Sequence, residues 1–211
     1  ISTKQLIILV YFFTLGSSVL IGPSLIASEA KNDAWLSGLI ACLIGVLLVL
    51  LYIQLSSTFP NLTIVEMSES LLGKWLGKLV SLLFTLFLII IGASTIREMG
   101  DFITTHILVE TPIQAVHILF LIVSIMCVRL GIEVLSRTSE IFLPWVAIQI
   151  TILILFLIPE VDKLKMMPMF DYGIEPIIKG AMTGIGFPIL ELVIFLMITP
   201  FVNKQQKRSE E

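Results

Sequence analysis

The sequence predicts an all-α integral membrane protein with about six transmembrane helices. Of its 211 residues, 57% are hydrophobic and only 14% are charged. The mean hydropathy of +1.04 is well above that of ordinary soluble domains. The apolar residues also fall into runs of about the length that a helix needs to cross the hydrocarbon core, where helices satisfy their own backbone groups.

Six apolar runs are separated by short polar or charged connections. They extend roughly over Leu6 to Ile26, Trp35 to Leu55, Leu79 to Ile96, Ile113 to Val128, Ile141 to Ile158 and Ile177 to Val202. The first run is expected to stay in the membrane, because no small-residue cleavage site precedes a soluble domain. A cytoplasmic N-terminus would place eight of the 13 Lys and Arg residues inside and five outside, which favours that orientation.

Composition also argues against several functions. The formal charge of −3 and the pI near 5.4 provide no basic face, so nucleic acid is not expected as a partner. Cys42 and Cys127 each lie inside an apolar run, which favours small buried hydrophobes over a disulfide or metal ligands. His106 and His117 have no ligand partners at suitable spacing, and no phosphate loop or nucleophile elbow is present. We therefore expect no enzyme activity and no cofactor.

Two connections have a distinct local pattern. Thr63 and Glu66 form a capping-box sequence, which predicts a short amphipathic helix on the cytoplasmic face before the third run. The connection from Pro159 to Glu175 is the only long polar one. It is expected to be a solvated loop, with a lid or a partner-binding segment as the alternative.

The first run contains residues that are unusual in an apolar helix: Gly16, Ser17, Ser18, Gly22 and Pro23. The sixth run has a similar set around Thr183 and Phe187, namely Gly180, Gly184, Gly186 and Pro188. Paired Gly/Pro interruptions in corresponding spans of two five-helix repeats indicate broken helices around a binding site at the middle of the membrane. The sequence therefore predicts breaks in spans one and six.

Close packing is the alternative explanation of these residues, since small residues and proline are common in membrane helices. A break would instead free backbone groups that lipid cannot satisfy but a polar ligand can. The N-terminal end of a half-helix attracts a carboxylate, and the C-terminal carbonyls attract an ammonium group. A small amino acid is therefore the expected ligand class.

Glu191 is the only acidic residue well inside a predicted span, three positions after Pro188. A carboxylate at that depth is costly unless it faces protein or water, so Glu191 is a candidate for binding a proton, a cation or a ligand ammonium group. A structural role is the open alternative, in which the side chain accepts hydrogen bonds from the broken helix or from a neighbouring span.

Several segments together resemble a known family. They are Leu71 to Lys78, Arg97 to Met99, Glu110 to Ile113, Arg129 to Val134 continuing through Arg137 and Glu140 to Pro144, and Phe187 with Glu191. Their order and spacing are similar to those of the B subunit of spore germinant receptors, the GerAB/GerKB family of the amino acid/polyamine/organocation transporter superfamily. The resemblance covers nearly all of the chain.

This resemblance implies a LeuT-like fold of two inverted five-helix repeats in the spore inner membrane, working with an A and a C subunit. A germinant pocket between spans one, three, six and eight is also implied. Carried over to this sequence, that pocket would use Gly16 and its neighbours, Phe87, and Gly186 with Phe187. The candidate ligand-binding residues are therefore Gly16, Ser17, Ser18, Gly22, Phe87, Thr183, Gly184, Gly186, Phe187 and Glu191.

The chain is expected to form a single transmembrane domain over residues 1–211. The first repeat would cover about residues 1–160, the second would begin over about 176–203, and 204–211 would be a cytoplasmic tail. Family members resemble transporters of ten spans, so the sequence is expected to be either a fragment or a truncated product without a complete pocket. A germinant receptor subunit is the leading hypothesis, and a proton- or cation-coupled amino acid transporter is the alternative.

Overall fold

The structure, a computed structural model, describes residues 1–19, 21–161 and 170–202. Within these ranges the chain is built from helices joined by short turns. The α-helices are α1 (Thr3–Ser18), α2 (Gly22–Ala30), α3 (Ala34–Thr58), α4 (Ile64–His106), α5 (Ile113–Leu130), α6 (Ile132–Leu157) and α7 (Ile174–Gly184). The predicted tail 204–211 and residues 162–169 of the polar connection lie outside the described residues.

The helices are long and apolar enough to confirm the predicted membrane class. Among the described residues, five helical stretches meet the length and composition needed to cross a bilayer: Gly22–Thr58, Ile64–His106, Ile113–Leu130, Ile132–Glu160 and Ile174–Met197. The first predicted run does not appear as one helix, because it is divided between α1 and α2. Large apolar side chains are exposed along most of these helices, as expected for surfaces that face lipid.

The chain forms two compact units. The first unit contains Ser2–Pro60 and Ser139–Glu211, and the second contains Asn61–Thr138 together with Ile1. The second unit is built from α4, α5 and the start of α6. In that unit α5 packs closely on α4, since a Cβ at Gly100 would lie only 2.3 Å from Nε2 of His117.

Helix α4 begins with the predicted capping box. The Thr63 side chain accepts a hydrogen bond from the Glu66 backbone, and the Glu66 side chain accepts one from the Thr63 N–H. The first two turns of α4 are separated from the rest of the helix by a bend at Gly73, whose φ is +79° and ψ is +170°. Met67 is buried on this short segment. The short helix ahead of the third span is therefore confirmed, and its position relative to the membrane stays a prediction.

Gly73→Ala is expected to destabilise the bend in α4. A positive φ with extended ψ is essentially restricted to glycine, so the strain should amount to about 1–3 kcal/mol. Gly92→Ala is the matched control, because Gly92 lies on the same helix and a Cβ there meets nothing within 4 Å. The thermal midpoint of the detergent-solubilised protein should fall for Gly73→Ala alone. Equal midpoints would show that the bend is not held in this conformation.

In the first unit, α7 packs on α2 and α3 through small residues. A Cβ at Gly180 would lie 2.8 Å from Cβ of Ala30 and 2.9 Å from Oγ of Ser37. The chain beyond α7 follows a different course and reaches α1, where the rings of Phe13 and Phe195 meet edge to face at 5.5 Å. The half before the break therefore packs on α2 and α3, and the half after it reaches α1 as well as α3.

Candidate ligand site at the two helix breaks

The predicted break in the first span is present. Helix α1 ends at Ser18, where the N–H of Val19 donates to the carbonyl of Leu15 at 3.1 Å. Helix α2 begins at Gly22, after Ile21, which has a φ of −121° and makes no side-chain cap. The end of α1 thus presents carbonyl groups and the start of α2 presents N–H groups that have no partners within their own helices.

The predicted break in the sixth span is also present. Helix α7 ends at Gly184, and a single wide turn over Ile185–Ile189 follows. Inside that turn Phe187 is extended, with φ −136° and ψ +117°, and its peptide bond to Pro188 is cis. A tighter helical segment, Leu190–Met197, continues the span. Pro188 has no N–H to offer the preceding turn, so the proline interrupts the helix as the sequence predicts.

Both breaks border one cavity of about 560 Å³. The first span and α2 contribute Thr14, Ser18, Val19, Gly22, Pro23 and Ile26, α3 contributes Ala34, Trp35, Gly38, Ala41 and Cys42, and the sixth span contributes Gly184, Phe187, Pro188 and Ile189. Most of this lining is apolar side chain. Among the lining residues, Thr14 and Ser18 carry hydroxyls and Trp35 an indole N–H, and a mostly apolar wall with few polar groups is usual for a small-molecule site.

Four of the candidate residues meet at this cavity: Ser18, Gly22, Gly184 and Phe187. The Ser18 hydroxyl donates to the carbonyl of Thr14 one turn earlier. A hydroxyl that donates its only hydrogen still has lone pairs available, so Ser18 can accept a hydrogen bond from a ligand ammonium group. The structure therefore brings residues from both predicted breaks to the same space.

Other candidate residues do not line the cavity. Gly16 and Gly186 are exposed, and a Cβ at either position meets nothing within 4 Å. The Thr183 hydroxyl donates to the carbonyl of Lys179 at 3.0 Å, within its own helix. Ser17 lies in the last turn of α1, and its side chain lies outside the part that the structure describes. The role of these residues in binding stays a prediction.

Glu191 and Phe87 are placed differently from the other candidates. Glu191 begins the segment after the second break, and its side chain is buried, with 8% of the residue exposed. It therefore faces protein rather than lipid, which is the condition expected for a carboxylate at that depth. Phe87 lies on α4 in the second unit, where its ring is 6.3 Å from that of Phe84.

The second span contributes residues that the sequence analysis missed. Trp35, Gly38 and Cys42 lie at successive turns of α3 and face the cavity. Cys42 is exposed, so the expectation that it is a buried hydrophobe was wrong. Within the described residues, the buried indole Nε1 of Trp35 has no hydrogen-bond partner. The spacing of three and four residues places these side chains on one helix face, but an apolar helix carries no signal that distinguishes that face.

Comparison with known proteins identifies the family. A family model described as spore germination protein matches residues 1–210. The chain belongs to the spore germination protein family. Spore germination protein KB of Bacillus subtilis (strain 168) is 34% identical over 98% of this chain and 55% of its own length. Spore germination protein YndE of the same organism is 28% identical over 93% of the chain and 55% of its own length.

A third member of the spore germination protein family extends the comparison. Spore germination protein A2 of Bacillus subtilis (strain 168) is 26% identical over 93% of this chain and 54% of its own length. The chain thus spans about half the length of the curated relatives it matches. No solved structure matches the chain. The sequence comparisons therefore establish the family, and the structure shows how the two breaks are arranged.

Proposed function

We propose that this chain is part of a membrane subunit of a spore germinant receptor, which binds a small amino acid and signals the start of germination. The observation that carries the proposal is the shared cavity, where Ser18 and Gly22 of the first break face Gly184 and Phe187 of the second. The receptor subunit would lie in the spore inner membrane with a cytoplasmic N-terminus. It would work with A and C subunits and would use a LeuT-like arrangement of repeats.

The chemistry of the cavity supports an amino acid. The N–H groups at the start of α2 favour a carboxylate, and the carbonyl groups at the end of α1 favour an ammonium group. The surrounding wall is mostly apolar, with Trp35, Phe187 and Ile189 among its side chains. Such a wall suits a ligand whose charges are confined to one end. Sugars and nucleosides would need many more polar partners along their length.

Binding would act on the receptor by favouring one conformation. A ligand that contacts both breaks at once has different affinities for states in which the half-helices are closer together or further apart. That difference in affinity is the free energy available for signalling to partner subunits. No substrate has to cross the membrane for such a signal.

The competing hypothesis is a proton- or cation-coupled amino acid transporter, favoured by the burial of Glu191 just beyond the second break. The two hypotheses separate in proteoliposomes that contain the complete protein. A receptor should bind a radiolabelled amino acid without accumulating it, whereas a transporter should concentrate it when a pH gradient is imposed. Concentrative uptake would overturn a receptor role without transport.

The ligand class can be tested in spores that depend on the complete protein as their germinant receptor. Single amino acids, sugars and nucleosides should be supplied separately, and germination followed as the fall in optical density. A response to one or a few amino acids is expected. A response confined to sugars or nucleosides would contradict the amino acid class while leaving the receptor role intact.

Trp35→Phe is expected to weaken the response to the germinant without changing the amount of protein in the membrane. The substitution keeps an aromatic ring and removes the indole N–H, which the structure leaves without a partner. A buried donor that gains an acceptor on ligand binding contributes about 1 kcal/mol or more. The germinant concentration for half-maximal response should therefore rise by roughly fivefold to tenfold.

Trp145→Phe is the matched control for this measurement. Trp145 lies on α6 with 67% of the residue exposed, so the loss of its indole N–H should leave the response unchanged. An unchanged half-maximal concentration for Trp35→Phe would show that the indole does not contact the germinant.

A further inference from the structure

Asp33 joins two parts of the first unit that are far apart in the sequence. It lies between α2 and α3 and is almost completely buried, with 1% of the residue exposed. Its carboxylate accepts the backbone N–H of Phe170, at 3.3 Å from Oδ1 and 3.1 Å from Oδ2. Burial of a carboxylate is costly unless hydrogen bonds compensate it, so this contact offsets part of the cost of placing Asp33 in the interior.

Two further contacts surround this hydrogen bond. The Lys31 Nζ lies 3.9 Å from the centre of the Tyr172 ring, which is a cation–π distance. The Ser37 hydroxyl donates to the carbonyl of Ile177 at 3.0 Å, in a buried position. Together, Asp33 with Phe170 and Lys31 with Tyr172 form what we call the Asp33 clasp. The clasp fastens the residues that lead into α7 to the α2–α3 junction.

The clasp adjoins the cavity between the two breaks. Ala34 and Trp35, which directly follow Asp33, line that cavity. At the other end of α7, Gly184 also lines the cavity. It packs against Ala41 and Ile26, since a Cβ at Gly184 would lie 3.0 Å and 3.1 Å from their side chains. Helix α7 therefore forms part of the wall of the cavity, and the clasp residues Phe170 and Tyr172 lie just before α7 begins.

The chain at and after the second break makes further contacts of its own. A Cβ at Gly45 of α3 would meet the Ile189 side chain at 2.7 Å, and Phe13 of α1 contacts Phe195. These contacts do not depend on the residues of the clasp. A change at Asp33 can therefore alter the position of α7 while the segment beyond the second break keeps its packing.

We propose that Asp33 is a positioning residue whose hydrogen bond holds α7 on the α2–α3 junction and limits entry of solute into the cavity from that end. The role of this hydrogen bond in regulating the germinant site rests on the proposed function. The hydrogen bond itself can be tested without a germinant. Loss of the hydrogen bond should let α7 separate from the junction more often, because a hydrogen bond to a buried charge is worth about a tenfold change in such an equilibrium, or more.

Cys42 provides a reporter on the wall of the cavity. It lines the same space and carries a free thiol. The hydrocarbon of the bilayer excludes a charged reagent from the lateral faces of the protein. The rate at which a charged, water-soluble methanethiosulfonate modifies Cys42 in permeabilised membranes therefore measures access along the aqueous route. The experiment uses the full-length protein with every other cysteine, Cys127 included, replaced by serine.

Asp33→Ala is expected to raise the modification rate of Cys42 by about tenfold, as the lost hydrogen bond implies. Asp33→Asn should restore a rate close to that of the parent protein, because its side-chain oxygen still accepts the N–H of Phe170. Asp171→Asn is the matched control, since Asp171 is an exposed carboxylate beside the clasp. Its rate should equal that of the parent.

An unchanged rate for Asp33→Ala, measured on protein that remains in the membrane, would overturn the proposal. If Asp33→Ala does not reach the membrane, Asp33→Leu decides the question, because it fills the space of the buried carboxylate with an apolar side chain that cannot accept the Phe170 N–H. A faster rate for Asp33→Leu would support the proposal, and an unchanged rate would overturn it. Since no germinant is added, failure of the proposed function would not affect either result.

Discussion

Gly180→Leu is expected to prevent stable accumulation of the protein in the membrane. A Cβ at this position would lie 2.8 Å from Cβ of Ala30 and 2.9 Å from Oγ of Ser37, so even the first added atom has no room. Overpacking a close helix contact costs about 1–3 kcal/mol for added methylene groups, and leucine also separates helices that small residues bring together. The Ser37 hydrogen bond to Ile177 would be lost at the same time.

The measurement is the amount of folded protein recovered from membranes, with the thermal midpoint of what is recovered. Gly92→Leu is the matched control, because Gly92 lies on α4 and a Cβ there meets nothing within 4 Å. It should behave like the parent protein. If Gly180→Leu accumulated as well as Gly92→Leu, then α7 would not pack on α2 and α3 as the structure shows.

Gly22→Leu is expected to abolish the germinant response while leaving the protein in the membrane. Gly22 lines the cavity, and a Cβ there meets Cβ of Ser18 at 3.5 Å, an ordinary van der Waals distance. The remaining side-chain atoms would enter the space proposed for the ligand. Filling a binding pocket removes most of its affinity, so the half-maximal germinant concentration should rise by at least about a hundredfold, or roughly 2.7 kcal/mol.

A second variant fills the same cavity from a different helix, so the test does not depend on α2 alone. Gly38→Leu projects from α3 into the same cavity, and a Cβ there meets nothing within 4 Å. Both variants should insert normally and fail to respond. A normal response from either one would show that the germinant does not occupy this cavity, and loss of either from the membrane would show that the glycine serves packing.

The contrast between Gly180 and Gly22 shows how far the sequence could predict the site. Both glycines were visible as interruptions of apolar runs, and the breaks near Gly22 and Gly184 are confirmed. Packing and binding were open alternatives for such residues, because a glycine in a membrane helix is compatible with either. The structure separates them by what surrounds each Cβ, which is a property of neighbouring helices.

Trp35 illustrates what the sequence could not reveal. The second span is apolar on all sides, so periodicity does not distinguish the face that contacts protein from the face that contacts lipid. Only the packing of α3 beside both breaks turns Trp35, Gly38 and Cys42 toward the cavity. Asp33 is a similar case, because its hydrogen-bond partner Phe170 is more than a hundred residues away in the sequence.

The sequence alone determined that this protein lies in a membrane, approximately where its helices run, and that the first and sixth spans are interrupted. These features follow from local chemistry, since apolar runs need lipid and since glycine and proline weaken a helix wherever they occur. Tertiary structure alone decided which side chains meet at the breaks, which glycines are packed and which face open space, and which distant backbone group the buried Asp33 carboxylate binds. Those features depend on contacts between distant segments, and such contacts arise only when the helices pack together.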